Sequence, residues 1–212
     1  MFIVENYTLA VFLCIITMLC WGSWANAQKM ASKSWSFPLF YWDYSIGVVL
    51  LSLIFGLTLG SSGLEGRSFI DDMFQGNSTS FLSAFLGGVV FNIANLLIVA
   101  AISIAGMAVA FPIGIGIALV LGVTINYIAT PIGDPILLSA GVFIVVVAII
   151  IDALAYNRLT SNNYKSSSKG IVISIIGGIL MGFFYRFVAY SMSADFKNPE
   201  EGLFTPYTAV FI

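Results

Sequence analysis

Six runs of apolar residues, each long enough to cross about 30 Å of hydrocarbon, occupy most of this chain: 7–26, 41–60, 80–105, 107–128, 136–156 and 170–192. A seventh begins near Phe204 and is still apolar at Ile212. The third and fourth runs are interrupted only at Gly106. Together they are far too long for one crossing, and Pro112 suits the first turn of a new helix. Of the 212 residues, 59% are hydrophobic and 8% charged, against roughly 25% charged in an ordinary soluble domain. A chain of this size has too little interior to hide so much apolar surface from water. The expected fold is all-α, a polytopic transmembrane helix bundle in a lipid bilayer, with six complete spans plus the start of a seventh.

Composition also removes several functional classes. The net charge is -2 with no basic cluster, which offers nucleic acid nothing to bind. Histidine is absent, and with it the commonest metal ligand and the usual acid/base group near neutral pH. No metal or cofactor is expected. No G-x-x-x-x-G-K-[ST] occurs, so direct use of ATP is not expected either. Cys14 and Cys20 share one apolar segment; in a helix they stand about 9 Å apart along the axis and cannot pair, so they read as small core residues. Glu5 is the only charge before the first run, which marks that run as a retained helix and not a cleaved leader.

Loop charges set an orientation. Lys29 and Lys33 lie between the first two spans, and Arg158, Lys165 and Lys169 between the fifth and sixth. On the other side stand only Arg67 and Lys197, among Glu65, Asp71, Asp72, Asp195, Glu200 and Glu201. The positive-inside rule puts the N-terminus outside the cell membrane and the loops at 27–40 and 157–169 in the cytoplasm. Because the chain stops within an apolar span, it is expected to be the N-terminal part of a longer protein.

Spans one and six share a texture. A shift of 160 residues places Cys14 on Ser174, Met18 on Gly178, Gly22 on Gly182 and Asn26 on Arg186. Phe37-Pro38 before span two echoes Thr205-Pro206-Tyr207 before span seven. The expected organisation is a first five-helix unit over 1–157, a connecting loop over 158–169 and the start of a second unit over 170–212. Five being odd, the two units would be inverted, giving ten spans when complete, and inverted repeats are the architecture of many secondary transporters. Chance similarity between apolar helices is the alternative.

Polar side chains inside spans need a reason, because a charge at the bilayer centre costs about 3 kcal/mol or more. Arg186 ends the stripe Ser174, Gly178, Gly182, Arg186, whose small residues allow close helix contact and turn the arginine inward; snorkelling to the outer interface is the other reading. Asn92 and Asn95 lie one turn apart on the face of Gly88, where two amides suit a neutral polar ligand or hold helices together. In span four the stripe Gly114, Ala118, Gly122, Asn126 reads mainly as packing, with Asn126 near the outer mouth. Asp43, between Trp42 and Tyr44, is a candidate proton carrier or an interfacial residue in water. Asp152, near the cytoplasmic end of span five, reads as solvated. Trp21 and Trp24 either stack on a ring-shaped substrate or anchor the interface.

From Trp21 onward the sequence resembles the ureide permease family of the drug/metabolite transporter superfamily. The likeness is carried by Trp21-Gly22-Ser23-Trp24, Tyr41-Trp42-Asp43-Tyr44-Ser45, Phe55-Gly56, Gly87-Gly88-Val89-Val90 with Asn95-Leu96, Gly122-Val123-Thr124-Ile125-Asn126-Tyr127 and Gly141-Val142. The tyrosine–aspartate–tyrosine element is the most specific of these. The resemblance implies a ten-helix permease for allantoin, uracil or a related heterocycle, driven by protons. Two features depart from the family pattern: the loop at 157–169 is short, as in a bacterial form, and the loop at 129–135 lacks a charged segment. The sugar-uptake branch of the superfamily, for glucose, ribose or rhamnose, stays open.

The expected mechanism is alternating access, with a substrate ring near Asn92, Asn95 and the span-one tryptophans. Trp21, Trp24, Asn26, Asp43, Tyr44, Asn92, Asn95, Asn126 and Arg186 are the candidate binding and ion-pathway residues, with Asp43 carrying the proton. A homodimer is compatible with the sequence. An intramembrane enzyme would want a nucleophile and base, or paired carboxylates at one depth; Asp43 and Asp152 could both lie near the cytoplasmic face, but no serine–histidine or metal-ligand set accompanies them. A non-transporting scaffold remains the rival from another class.

Overall fold

The computed structural model describes residues 1–31, 34–159 and 167–212, and for Ala25, Lys29, Ala108, Tyr156, Asn157 and Leu159 it describes the backbone alone. Lys33 and Lys165, used above for orientation, lie outside the described residues. The described chain is helical: α1 (Tyr7–Ala31), α2 (Phe37–Leu57), α3 (Phe69–Gln75), α4 (Ser78–Ala105), α5 (Met107–Ala129), α6 (Pro135–Leu159), α7 (Ser168–Ser191) and α8 (Pro206–Phe211). Among the described residues, six helices are long and apolar enough to cross a membrane: α1, α2, α4, α5, α6 and α7. Hydrocarbon offers no water to backbone N–H and C=O groups, and a helix satisfies them within one segment.

Local capping sets the ends that apolar length alone leaves open. α2 starts at Phe37, four residues ahead of the expected run, because Ser36 is extended (φ -65°, ψ 147°) and Pro38 fits the first turn. The Asn77 side chain accepts from the Ser80 N–H at 2.7 Å and starts α4. Asp134 does the same for α6, accepting from Ile136 at 2.8 Å and Leu137 at 3.1 Å. Gly106 separates α4 from α5 with φ +82°, a conformation that favours glycine. The expectation that Pro112 occupies a first turn is corrected: it lies inside α5, five residues past the helix start, and the glycine makes the break.

The chain divides into two compact units, Met1–Ser80 with Met192–Ile212, and Phe81–Ser191. In the second unit α7 packs against α4 and α5. A Cβ on Gly170 would meet Ala105, one on Gly177 would meet Ala94 and Ile98, and one on Gly87 would meet Val188, so α4 and α7 run antiparallel. Gly178 faces Gly114 and Gly182 faces Ala118 and Gly122, so α5 and α7 run parallel. The core between them holds Ala94, Ile98, Ala118 and Met181, edged by Phe91, Phe111 and Phe184. α6 packs on α5.

In the first unit α2 is joined by α1, by the seven-residue α3 and by α8. α3 begins at Ser68, whose Oγ accepts from the Asp71 N–H at 3.3 Å and donates to the Asp71 carboxylate at 2.6 Å. Phe69 is buried under Gly56 of α2 and meets Phe211 edge to face, with ring centres 5.5 Å apart.

Candidate functional site

The expected site residues fall in both units, and each set has its own surroundings. In the first unit α1 and α2 bring Trp24 and Tyr44 together, edge to face, with ring centres 5.6 Å apart and planes at 62°. Tyr44 also lies 5.7 Å from the ring of Tyr41, which is 5.4 Å from Phe37. Among the described residues the buried Trp24 indole N–H has no acceptor. Such an orphaned donor costs about 1–3 kcal/mol and is a ready partner for a carbonyl oxygen. Trp21, Asn26 and Asp43 are exposed.

In the second unit Asn92 is exposed, while Asn95, beside the fully buried Ala94, is itself buried with 8% exposure. Each already engages another group of the chain. Gly88, on the same flank, has open space beside it. The stripes of α5 and α7 meet each other: Ser174 is fully buried, and Gly178 and Gly182 abut the α5 backbone at Gly114 and Ala118. Asn126 and Arg186 each continue their stripe by one turn, and both are half-buried. The Asn126 amide donates to the Gly122 carbonyl at 2.7 Å, leaving its own oxygen as an acceptor. Asp152 is exposed. Among the described residues no three His, Cys, Asp or Glu side chains converge to hold a metal.

One polar cluster was not expected from the sequence, which places its charges in loops on the side opposite the lysine-bearing ones. Asp72 is fully buried and pairs with Arg67 at 2.9 Å. The same guanidinium donates to the Leu203, Pro199 and Glu200 carbonyls at 3.2, 2.9 and 3.3 Å. Gln75 donates to Leu203 at 2.9 Å and accepts from the Gly202 N–H at 2.6 Å, while the second Asp72 oxygen accepts from the Thr205 N–H at 2.7 Å. The one sequence signal for it is Ser68-Phe69-Ile70-Asp71, a helix start that places Asp72 in a first turn. Nearby Lys197 pairs with Glu5 and with Glu65, at 3.0 Å for the latter, and those carboxylates hold its ammonium above the usual lysine range. Asp195 is held below the usual carboxylate range, chiefly by the backbone N–H groups of Asn198 and Lys197.

Six apolar helices carrying buried and half-buried polar groups define a multi-pass membrane protein. The sequence model of the ureide permease family matches residues 40–170. The chain is 29% identical over 128 residues to Ureide permease 1 of Arabidopsis thaliana, covering 60% of this chain and 33% of that protein. It is 30% identical over 131 residues to Ureide permease 2 of the same plant, covering 60% and 33%. It is 28% identical over 185 residues to Probable ureide permease A3 of Vigna unguiculata, covering 81% and 49%. This chain belongs to the ureide permease family. Its match spans a third to a half of the length of these relatives. No solved structure matches it.

Proposed function

We propose that this chain is part of a secondary active transporter that imports a ureide such as allantoin, or a nucleobase-like heterocycle such as uracil, by alternating access coupled to protons. The observation that carries this reading is the family match across residues 40–170, which begins at the aromatic element of α2 and runs through α4, α5 and α6. The relatives named above are ureide permeases, which favours a ureide over the sugars of the wider superfamily.

The chemistry of the candidate residues suits such a cargo. A ureide is planar in part and rich in amide N–H and C=O groups. It wants aromatic faces, a donor for its carbonyls and amides that both donate and accept. In the first unit Trp24, Tyr41 and Tyr44 supply the first two. Asp43, exposed on an otherwise apolar helix, is the carboxylate assigned to the coupling proton. Arg186 and Asn126 are assigned to the pathway at the non-cytoplasmic end. The reading includes an N-terminus outside the cell membrane, the loops at 27–40 and 157–169 in the cytoplasm and an inverted five-helix repeat of 1–157 and 170–212. A catalytic role has no nucleophile–base set to support it.

The test is uptake by proteoliposomes offered labelled allantoin, uracil and glucose, with and without an inward proton gradient. Gradient-driven accumulation of allantoin or uracil is expected. Uptake of glucose alone would move the cargo to the sugar branch, and folded protein that moves none of them would sink the transporter reading.

A further inference from the structure

The polar cluster around Asp72 joins two stretches far apart in sequence, residues 58–77 and 192–205, both in the first unit. What holds them together is directional and polar. Arg67 reaches one carboxylate and three backbone carbonyls, Gln75 bridges Gly202 and Leu203, and Asp72 caps Thr205. The Asn77 N–H donates to the Gly202 carbonyl at 3.0 Å. Both stretches also carry glycines in the left-handed region, Gly66 at φ +71° and Gly202 at φ +84°. Thr205 leads directly into α8, so whatever the cluster does sets where that helix begins.

The closed arrangement is also incompletely satisfied. The hydroxyls of Thr205 and Thr208 are buried, the residues 1% and 0% exposed, and among the described residues neither hydroxyl has a hydrogen-bond partner. A buried hydroxyl without a partner disfavours the state that holds it and gives a second arrangement something to recover. Because Asp72 and three backbone carbonyls share one guanidinium, withdrawing that side chain releases all four contacts.

We infer that the Arg67–Asp72–Thr205 cluster is a latch that releases and re-forms once in each transport cycle, freeing the start of α8 from the 58–77 segment. The inference rests on the transporter reading above for its timing, and on the cluster itself for its existence as a separable contact.

A disulfide across the latch tests it. A Cβ placed on Gly202 would stand 3.5 Å from the Asn77 Cβ, at the near edge of the disulfide range of about 3.5–4.5 Å. In protein whose exposed Cys14 and Cys20 are replaced by alanine, the pair Asn77→Cys with Gly202→Cys is made, and ureide uptake into proteoliposomes is measured oxidised and reduced. Uptake is expected to be lost on oxidation and to return on reduction; equal uptake in both states overturns the latch. Gly202→Cys alone reports any strain at its positive φ. If the reduced protein moves no ureide, the decision passes to Thr205→Cys in the same background. Labelling of that buried thiol in folded protein by a membrane-impermeant thiol reagent supports an opening latch. A thiol that stays unreactive until the protein unfolds overturns it, whatever the fate of the ureide reading.

Discussion

Gly178 and Gly114 meet so closely that a Cβ on Gly178 would stand 2.5 Å from the Gly114 carbonyl oxygen. Between α5 and α7 there is therefore room for backbone alone at this level. Gly178→Ala is expected to destabilise the fold by about 1–3 kcal/mol, the usual cost of overpacking. Gly88→Ala, with open space beside it, is expected to stabilise its helix by up to about 1 kcal/mol through reduced backbone entropy. Unfolding in mixed micelles measures both; equal effects at the two positions would contradict the packing.

Asp72 is fully buried against the partly exposed Arg67, and removing one partner leaves the other without its counter-charge. Asp72→Ala is expected to cost about 3–5 kcal/mol. Replacing both, as in R67M with D72L, is expected to recover part of that loss. A double-mutant cycle on thermal unfolding in detergent gives the coupling, and strict additivity would show that the pair contributes nothing.

The turn at Asp195 has a calculable pH response. Its carboxylate accepts from the N–H groups of Lys197 and Asn198 at 2.9 and 3.2 Å, and its pKa lies below the ordinary value. A depressed folded pKa means that its contribution is present above the unfolded value of about 3.9 and is lost as pH falls through the lower folded value. Protease nicking of the 192–198 turn is expected to rise only on acidification below about pH 4. Asp195→Asn should show the raised nicking already at neutral pH.

Asp43→Asn is expected to abolish uphill uptake while leaving exchange of substrate across the membrane. The comparison is accumulation under a proton gradient against counterflow without one. Unchanged accumulation would remove Asp43 from the coupling scheme.

Trp24→Phe keeps a ring beside Tyr44 and deletes the orphaned N–H. Stability is expected to be unchanged or slightly raised, because a buried donor without a partner is removed. Ureide affinity is expected to fall by about tenfold, the equivalent of one hydrogen bond of roughly 1.4 kcal/mol. Unaltered affinity would leave Trp24 as packing.

The spans were legible because hydrocarbon imposes one local rule, a run of apolar residues closed by internal hydrogen bonds. All six sit where those runs lie, and their ends moved by up to five residues, as at the start of α2, where Pro38 fits the first turn, and at the end of α1, which runs on to Ala31. α3 was not legible, since seven residues carrying two aspartates read as a loop. The Arg67–Asp72 cluster was invisible for a different reason: its partners Leu203 and Thr205 stand more than 130 residues away. Nothing in a loop charge announces whether the chain will return to cover it. Of the candidate site, the sequence pointed to Trp24 and Tyr44 separately, but not to their edge-to-face contact, which needs two helices placed side by side.

The parallel seam of α5 and α7 has a mechanical consequence. Where backbone lies on backbone at Gly178 and again at Gly182, two helices cannot slide past each other without lifting apart. The two helices are therefore expected to move as one body, so that a shift at Ser174 carries Asn126 and Arg186 with it.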